Sequence, residues 1–251
     1  GDRLLLRATD LEISIVQHQP VQFESNGTSS ANRVAVPAKR LLDTLRALPD
    51  LPVTFHSDGD FNVELKTDQG RYKMVGQDGA DYPALPQMDA GKTLETDAEN
   101  VKRAIQKTGF AVSKDALRPA MMGIFFQISP EGGRTVATDG HRLVRLNLAG
   151  MTAPQALQFI VPDKAMTLAG RVAVEGNCAV TVGSGYVRFD FGATQVYARM
   201  IDEQYPNYEA VIPQENEKRL VVNRDAMLAA VKRVALYSSS MTHQIRLAME
   251  Q

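Results

Sequence analysis

The 251-residue sequence predicts an α+β fold in which one module, two helices packed on antiparallel sheet, is repeated along the chain. Three observations predict it. Matching motifs recur about 125 residues apart. Apolar residues fall at helical spacing behind capping residues, and alternating strands are bounded by Gly and Pro.

The repeat fixes the domain organisation. Ala8-Thr9-Asp10-Leu11-Glu12-Ile13 recurs as Ala137-Thr138-Asp139-Gly140-His141-Arg142-Leu143, and Val36-Pro37-Ala38-Lys39 as Val161-Pro162-Asp163-Lys164. Tyr72, Met74 and Tyr82-Pro83 recur as Tyr197, Met200 and Tyr205-Pro206. Leu94-Glu95-Thr96-Asp97, followed by Val101 and Ile105, recurs as Leu220-Val221-Val222-Asn223, followed by Met227 and Val231. One register holds throughout. A copy begins near Leu94 and closes near Pro213, so residues 1–90 are expected to be the latter part of one module, 91–215 a complete second and 216–251 the opening of a third. On this register roughly 35 residues are expected in front of the chain and about 90 behind it.

Within the complete copy, Asp97 is an N-cap candidate, and Val101, Ala104, Ile105 and Thr108 share a helical face. Strands Gly123–Ile128 and Arg134–Ala137 flank Ser129-Pro130-Glu131-Gly132-Gly133, which reads as a hairpin turn. Pro162 is expected at the first position of a second helix, where its missing N–H costs nothing, and this helix is expected to end near Gly170 to Arg171. After turn signals at Gly176 and at Gly183-Ser184-Gly185, Val187, Phe189 and Phe191 alternate with Arg188 and Asp190 as a half-buried strand should.

Composition excludes several classes. With 44% hydrophobic and 23% charged residues the chain is ordinary globular material, not a disordered one. No apolar run approaches the roughly 20 residues of a membrane span, and no signal-peptide core opens the chain, so a cytoplasmic protein is expected. The single Cys178, in a Val-rich strand, is expected to be buried, and no zinc-ligand spacing is present. Asp139 and His141 are the one pair that could serve a hydrolase as acid, base or metal ligands. No nucleophile motif accompanies them, and the copy at Thr9-Asp10-Leu11-Glu12 has no His, so a turn-capping Asp139 ahead of Gly140 is the better account.

A net charge of −1 means that any nucleic-acid binding must come from locally concentrated charge. Each expected helix carries some. The first has Lys39, Arg40 and Arg46 opposite a stripe of Leu41, Leu42, Leu45 and Leu48. Others have Lys102, Arg103 and Lys107; Lys164 and Arg171, with Thr167 between them on one face; and Arg224, Lys232 and Arg233. A lone basic residue on a helix is usually just solvated, but recurrence on corresponding helices favours a common use.

Ala-Thr-Asp-Gly-His-Arg-Leu at 137–143, Val-Pro-Ala-Lys at 36–39 and Tyr-Pro-Asn-Tyr at 205–208 resemble the bacterial β sliding clamp family, the beta subunit of DNA polymerase III. The resemblance covers essentially the whole chain. It implies the DNA-clamp fold in homodimeric rings of three similar domains per protomer, with helices lining a hole for duplex DNA. It implies no enzyme activity and no cofactor or metal. The basic helix residues above would then line the DNA channel. The implied partners are double-stranded DNA without sequence preference, the polymerase III catalytic subunit, the clamp loader and other proteins carrying a clamp motif. Their peptide pocket, carried over by position, is Met121, Thr138, Gly140, His141, Arg142, Leu143, Pro206, Ala210 and Val211. Two positions depart from the best-known members: Ala210 stands for a long basic side chain, and Met121 for a branched aliphatic one. The resemblance also implies a dimer contact of Tyr72 and Met74 with Leu236 and Tyr237 of another protomer. A repeat scaffold with a peptide groove but no DNA, and the hydrolase, are the alternatives.

Overall fold

The computed structural model describes residues 3–22, 33–88, 91–217, 219–240 and 244–248. Its contacts separate two compact units, Gly1–Pro206 and Asn207–Gln251.

In the first unit the largest sheet is six-stranded and antiparallel, in the order Arg3–Thr9, Ile13–Pro20, Thr194–Arg199, Tyr186–Asp190, Asn177–Val182, Lys92–Asp97. Its first two strands come from the first sequence copy and the other four from the second. The join is a ladder in which Ile15 faces Val196 and Ser14 faces Tyr197. The two copies are therefore fused through one sheet. A second, four-stranded sheet runs Leu143–Leu148, Gly132–Thr138, Gly123–Ser129, Leu157–Pro162. The expected hairpin is its centre, with Gly132 opposite Ser129 across the turn.

Helices α1 (Ala38–Ala47), α2 (Ala98–Thr108) and α3 (Asp163–Val172) lie in the same unit, and α4 (Arg224–Ala235) in the second. The Asp97 carboxylate accepts from the Glu99 N–H at 2.9 Å and so caps α2. Asn223, its repeat counterpart, accepts from the Asp225 and Ala226 N–H groups at 3.0 Å each and caps α4. The start of α3 differs from expectation by one residue. Pro162 is the residue before the helix, because its extended backbone (φ −54°, ψ 142°) closes the strand ladder opposite Gly123. Pro37 stands in the same relation to α1.

α2 and α3 pack side by side between the sheets. Val101 and Ala104 from α2 and Ala165, Met166 and Ala169 from α3 meet Ile124, Phe126, Cys178, Val180, Phe189 and Val196 in one core. Each such fully buried large side chain contributes about 1.5–3 kcal/mol of transfer free energy. Gly170 is small because α2 passes over it: a Cβ there would come within 2.7 Å of the Ile105 side chain. α1 instead lies against the small sheet Thr54–Ser57, Asn62–Thr67, Gly70–Val75, where Leu41 packs on Val63, Leu65 and Met74. Leu42 and Leu45, from the same expected stripe, stay exposed.

Candidate functional site

The turn Thr138–Leu143 joins two strands of the four-stranded sheet, with Thr138 opposite Leu143. Its shape is written in its side chains. The Thr138 hydroxyl accepts from the Gly140 N–H at 3.1 Å and donates to the Arg142 carbonyl at 2.8 Å. Asp139 Oδ1 accepts from the N–H groups of His141 and Arg142, each at 2.9 Å, and Oδ2 accepts from Arg142 Nε at 3.0 Å. The turn needs one left-handed residue, which Gly140 supplies at φ +88°. Arg142, half tied to Asp139, lies over the Phe110 ring at 5.7 Å.

These bonds decide between the two readings of Asp139. The Arg142 N–H above all, helped by the His141 N–H and the Arg142 guanidinium, holds its carboxyl at about 2, against an ordinary 3.8. A carboxylate that is ionised and bonded on both oxygens is built as a turn cap and is poorly suited to proton transfer near neutral pH. Among the described residues no three His, Cys, Asp or Glu side chains are grouped to hold a metal. Cys178 is fully buried, and burial pushes its thiol up to about 12, which suits a core residue and not a nucleophile.

Leu143 is half-buried beside this turn. Met121, also half-buried, lies in the short 3-10 turn Pro119–Met122 that feeds the strand Gly123–Ser129, and its carbonyl accepts from the Ser113 N–H at 2.9 Å. Phe125, opposite Val136 in the ladder, stacks on Tyr205 at 4.6 Å and so holds Pro206 at the same sheet. Thr138, Gly140, His141 and Arg142 complete this part of the predicted pocket within the first unit. Ala210 and Val211 belong to the second unit, in the 3-10 turn Tyr208–Val211, and both are exposed there.

Of the predicted channel cations, Arg103, Lys107, Lys164 and Arg171 are exposed on the adjacent α2 and α3, and Lys102 is half-buried on α2. Lys39, Arg40 and Arg46 are exposed on α1, and Arg224, Lys232 and Arg233 on α4. Lys164 is not free, because its Nζ lies 2.5 Å from Asp10 Oδ2. The predicted dimer residues divide. Leu236 and Tyr237 are 82% and 91% exposed at the end of α4, whereas Met74 is 3% exposed in the core of its own small sheet and has almost no surface to offer. Tyr72 is half-buried.

Two features escaped the sequence reading. Arg118, paired with Asp115 at 2.9 Å, reaches toward the turn so closely that a Cβ on Gly140 would lie 2.7 Å from its Nη1. Phe110 sits under Arg142. The i,i+3 spacing of Asp115 and Arg118 is the local signal for Arg118, and Phe110 has none.

A two-helix module on a sheet shared with the preceding sequence copy, with cations on the exposed helix flanks, defines a clamp-type repeat protein. Comparison with known proteins gives the family. The model of the DNA polymerase III beta subunit central domain matches residues 95–207, and that of its N-terminal domain residues 1–86. The beta sliding clamp of Caulobacter vibrioides is 32% identical over 100% of this chain and 68% of its own length. That of Synechococcus elongatus is 31% identical over 99% and 66% respectively. A Pseudomonas aeruginosa sliding clamp solved with ligand superposes with a TM-score of 0.87 at 26% identity, over 96% of this chain and 66% of that one. A Bartonella birtlesii clamp bound to griselimycin gives 0.84 at 26% identity, over 96% and 65%. This chain, spanning about two thirds of the length of these relatives, belongs to the DNA polymerase III beta subunit, or beta sliding clamp, family.

Proposed function

We propose that the protein to which this chain belongs is a non-enzymatic cytoplasmic processivity clamp, a homodimer that encircles duplex DNA and tethers the polymerase III catalytic subunit, the clamp loader and other clamp-motif proteins. Residues 1–90, 91–215 and 216–251 are then parts of its first, second and third domains. The observation that carries this reading, beyond family membership, is the cationic flank of α2 and α3: Lys102, Arg103, Lys107, Lys164 and Arg171 project from two helices packed side by side. Cations on rigid helices suit phosphate contacts that are independent of sequence and sensitive to salt. Weak contacts suffice where encirclement supplies persistence.

Partner peptides enter beside Leu143. The turn is held by its own hydrogen bonds, so little ordering entropy is lost when a peptide binds. Apolar anchors packed on Leu143, Met121 and Pro206 contribute roughly 1.5–3 kcal/mol each, and two of them give affinity on the micromolar scale after association costs. Adaptable Met121 suits varied ligands. Leu236 and Tyr237 supply the exposed apolar side of the dimer contact, with Tyr72 facing them and Met74 supporting from beneath.

A labelled peptide with two or three apolar anchors, titrated against the chain and its Leu143→Asp variant, tests the pocket. Loss of binding in the variant is expected, because an unpaired carboxylate would face the anchors. Equal affinity for the two would move the pocket elsewhere.

A further inference from the structure

We infer that Asp10 is a built-in competitor for the phosphate contact of Lys164, so that DNA engages α3 at this position only by displacing a carboxylate. The inference rests on the DNA-channel reading of α3. Asp10 lies in the first-copy turn, Thr9–Ile13, and its Oδ1 accepts from the Glu12 and Ile13 N–H groups at 3.1 and 2.7 Å. Those bonds fix the carboxylate and aim Oδ2 outward. Its counterpart Asp139 uses Oδ2 on Arg142 of its own turn. At the corresponding place the first copy has Ile13, which has no charge to offer, and the outer oxygen of Asp10 reaches out of the turn to Lys164 Nζ at 2.5 Å. Lys102, Arg103, Lys107 and Arg171 on the same two helices make no ion pair among the described residues. Glu12, two residues on, adds a further negative charge near Lys164.

The pair is well placed for exchange. Its lysine side chain is 73% exposed and its aspartate 41%, so water, salt and an incoming phosphate all reach it. An exposed pair of this kind is held weakly and screened by salt. A phosphate oxygen offers Lys164 what Asp10 now provides, and the exchange leaves Asp10 still bonded to its own turn through Oδ1. The first-copy turn thereby discounts DNA affinity at one cation while leaving the rest of the flank unopposed, a device that favours sliding over holding.

The test is salt-dependent binding of a labelled short duplex to the 251-residue chain and its Asp10→Asn, Glu12→Gln, Lys164→Gln and Asp10→Asn/Lys164→Gln variants, followed by fluorescence anisotropy. Asparagine keeps the Oδ1 acceptor, so the turn is retained. Asp10→Asn is expected to bind about two- to fivefold tighter at low salt, with a log–log salt slope steeper by less than the roughly 0.9 of a whole phosphate contact, since Lys164 reaches phosphate in both proteins and only the salt-screened competitor is lost. Glu12→Gln removes the same charge without touching the pair and should change both much less. In the Lys164→Gln background, Asp10→Asn should do no more than Glu12→Gln. Lys164→Gln weakening DNA binding while Asp10→Asn matches Glu12→Gln would overturn this inference alone. An unaltered affinity and slope in Lys164→Gln would overturn the channel reading of α3 beneath it.

Discussion

The turns Thr9–Ile13 and Thr138–Arg142 are one structure built twice from sequences that share two residues. In both, a Thr hydroxyl accepts the N–H two residues on, at 3.0 and 3.1 Å, and donates to the carbonyl four residues on, at 3.0 and 2.8 Å. In both, an Asp oxygen accepts two successive N–H groups. The third position is left-handed in each, Leu11 at φ +75° and Gly140 at φ +88°. The difference between them is instructive. The Thr-Asp pair suffices to impose the turn, even on a leucine in a conformation that costs an L-residue about 1–2 kcal/mol. What varies, Arg142 or Ile13, decides whether the Asp charge is spent inside the turn or outside it.

Three substitutions sharpen that comparison. The largest effect belongs to Asp139→Asn. The native carboxyl is held at about 2, below its ordinary 3.8, so its charge stabilises the fold fully above 3.8 and loses that contribution as pH falls through about 2. The stability gap between wild type and variant in denaturant melts should approach about 2 kcal/mol at neutral pH and close between those two values. A gap that does not vary with pH would show that Arg142 does not sense the charge. Next, Gly140→Ala should cost about 1 kcal/mol, from the left-handed backbone and from a Cβ that must push Arg118 aside. A lowered melting temperature would record it. The smallest effect carries the opposite sign: Leu11→Gly should stabilise by about 0.5 kcal/mol, strain relief exceeding the added backbone entropy of glycine. Should that variant melt earlier, the exposed Leu11 side chain has contacts that outweigh its backbone.

What the sequence disclosed follows the range of the interactions. The cap Asp97, the α2 stripe of Val101, Ala104 and Thr108, and the hairpin around Pro130 are local, and each was readable from spacing. The start of α3 moved by one residue, because Pro162 answers to the strand it closes as well as to the helix it precedes. Met74 looked like interface material by analogy, but alternation along Gly70–Val75 puts it on the buried side against Val63 and Leu65. Leu42 and Leu45 looked like core and are exposed, since Leu41 is the residue of α1 that meets the small sheet. The Asp10–Lys164 pair joins residues 154 apart and has no local signature at all. Of the site, the Thr-Asp turn was legible as a motif and Arg118 showed only its i,i+3 relation to Asp115, whereas Phe110 came to it through folding that no spacing encodes.

The ladder between Ile13–Pro20 and Thr194–Arg199 carries a kinetic consequence. Gln17 and Thr194, which share a side-chain hydrogen bond in it, are 177 residues apart. Chains are made from the N-terminus at about 5–20 residues per second, so the hairpin Arg3–Pro20 waits on the order of ten seconds or more for its partner strand to be synthesised. During that interval the Ile13–Pro20 edge, with Ile13 and Val16 destined for burial, is an unpaired template open to any passing strand. Closing so long a loop is also slow in itself. The seam that unites the two copies in the finished protein thus assembles late and is open to mispairing until it does.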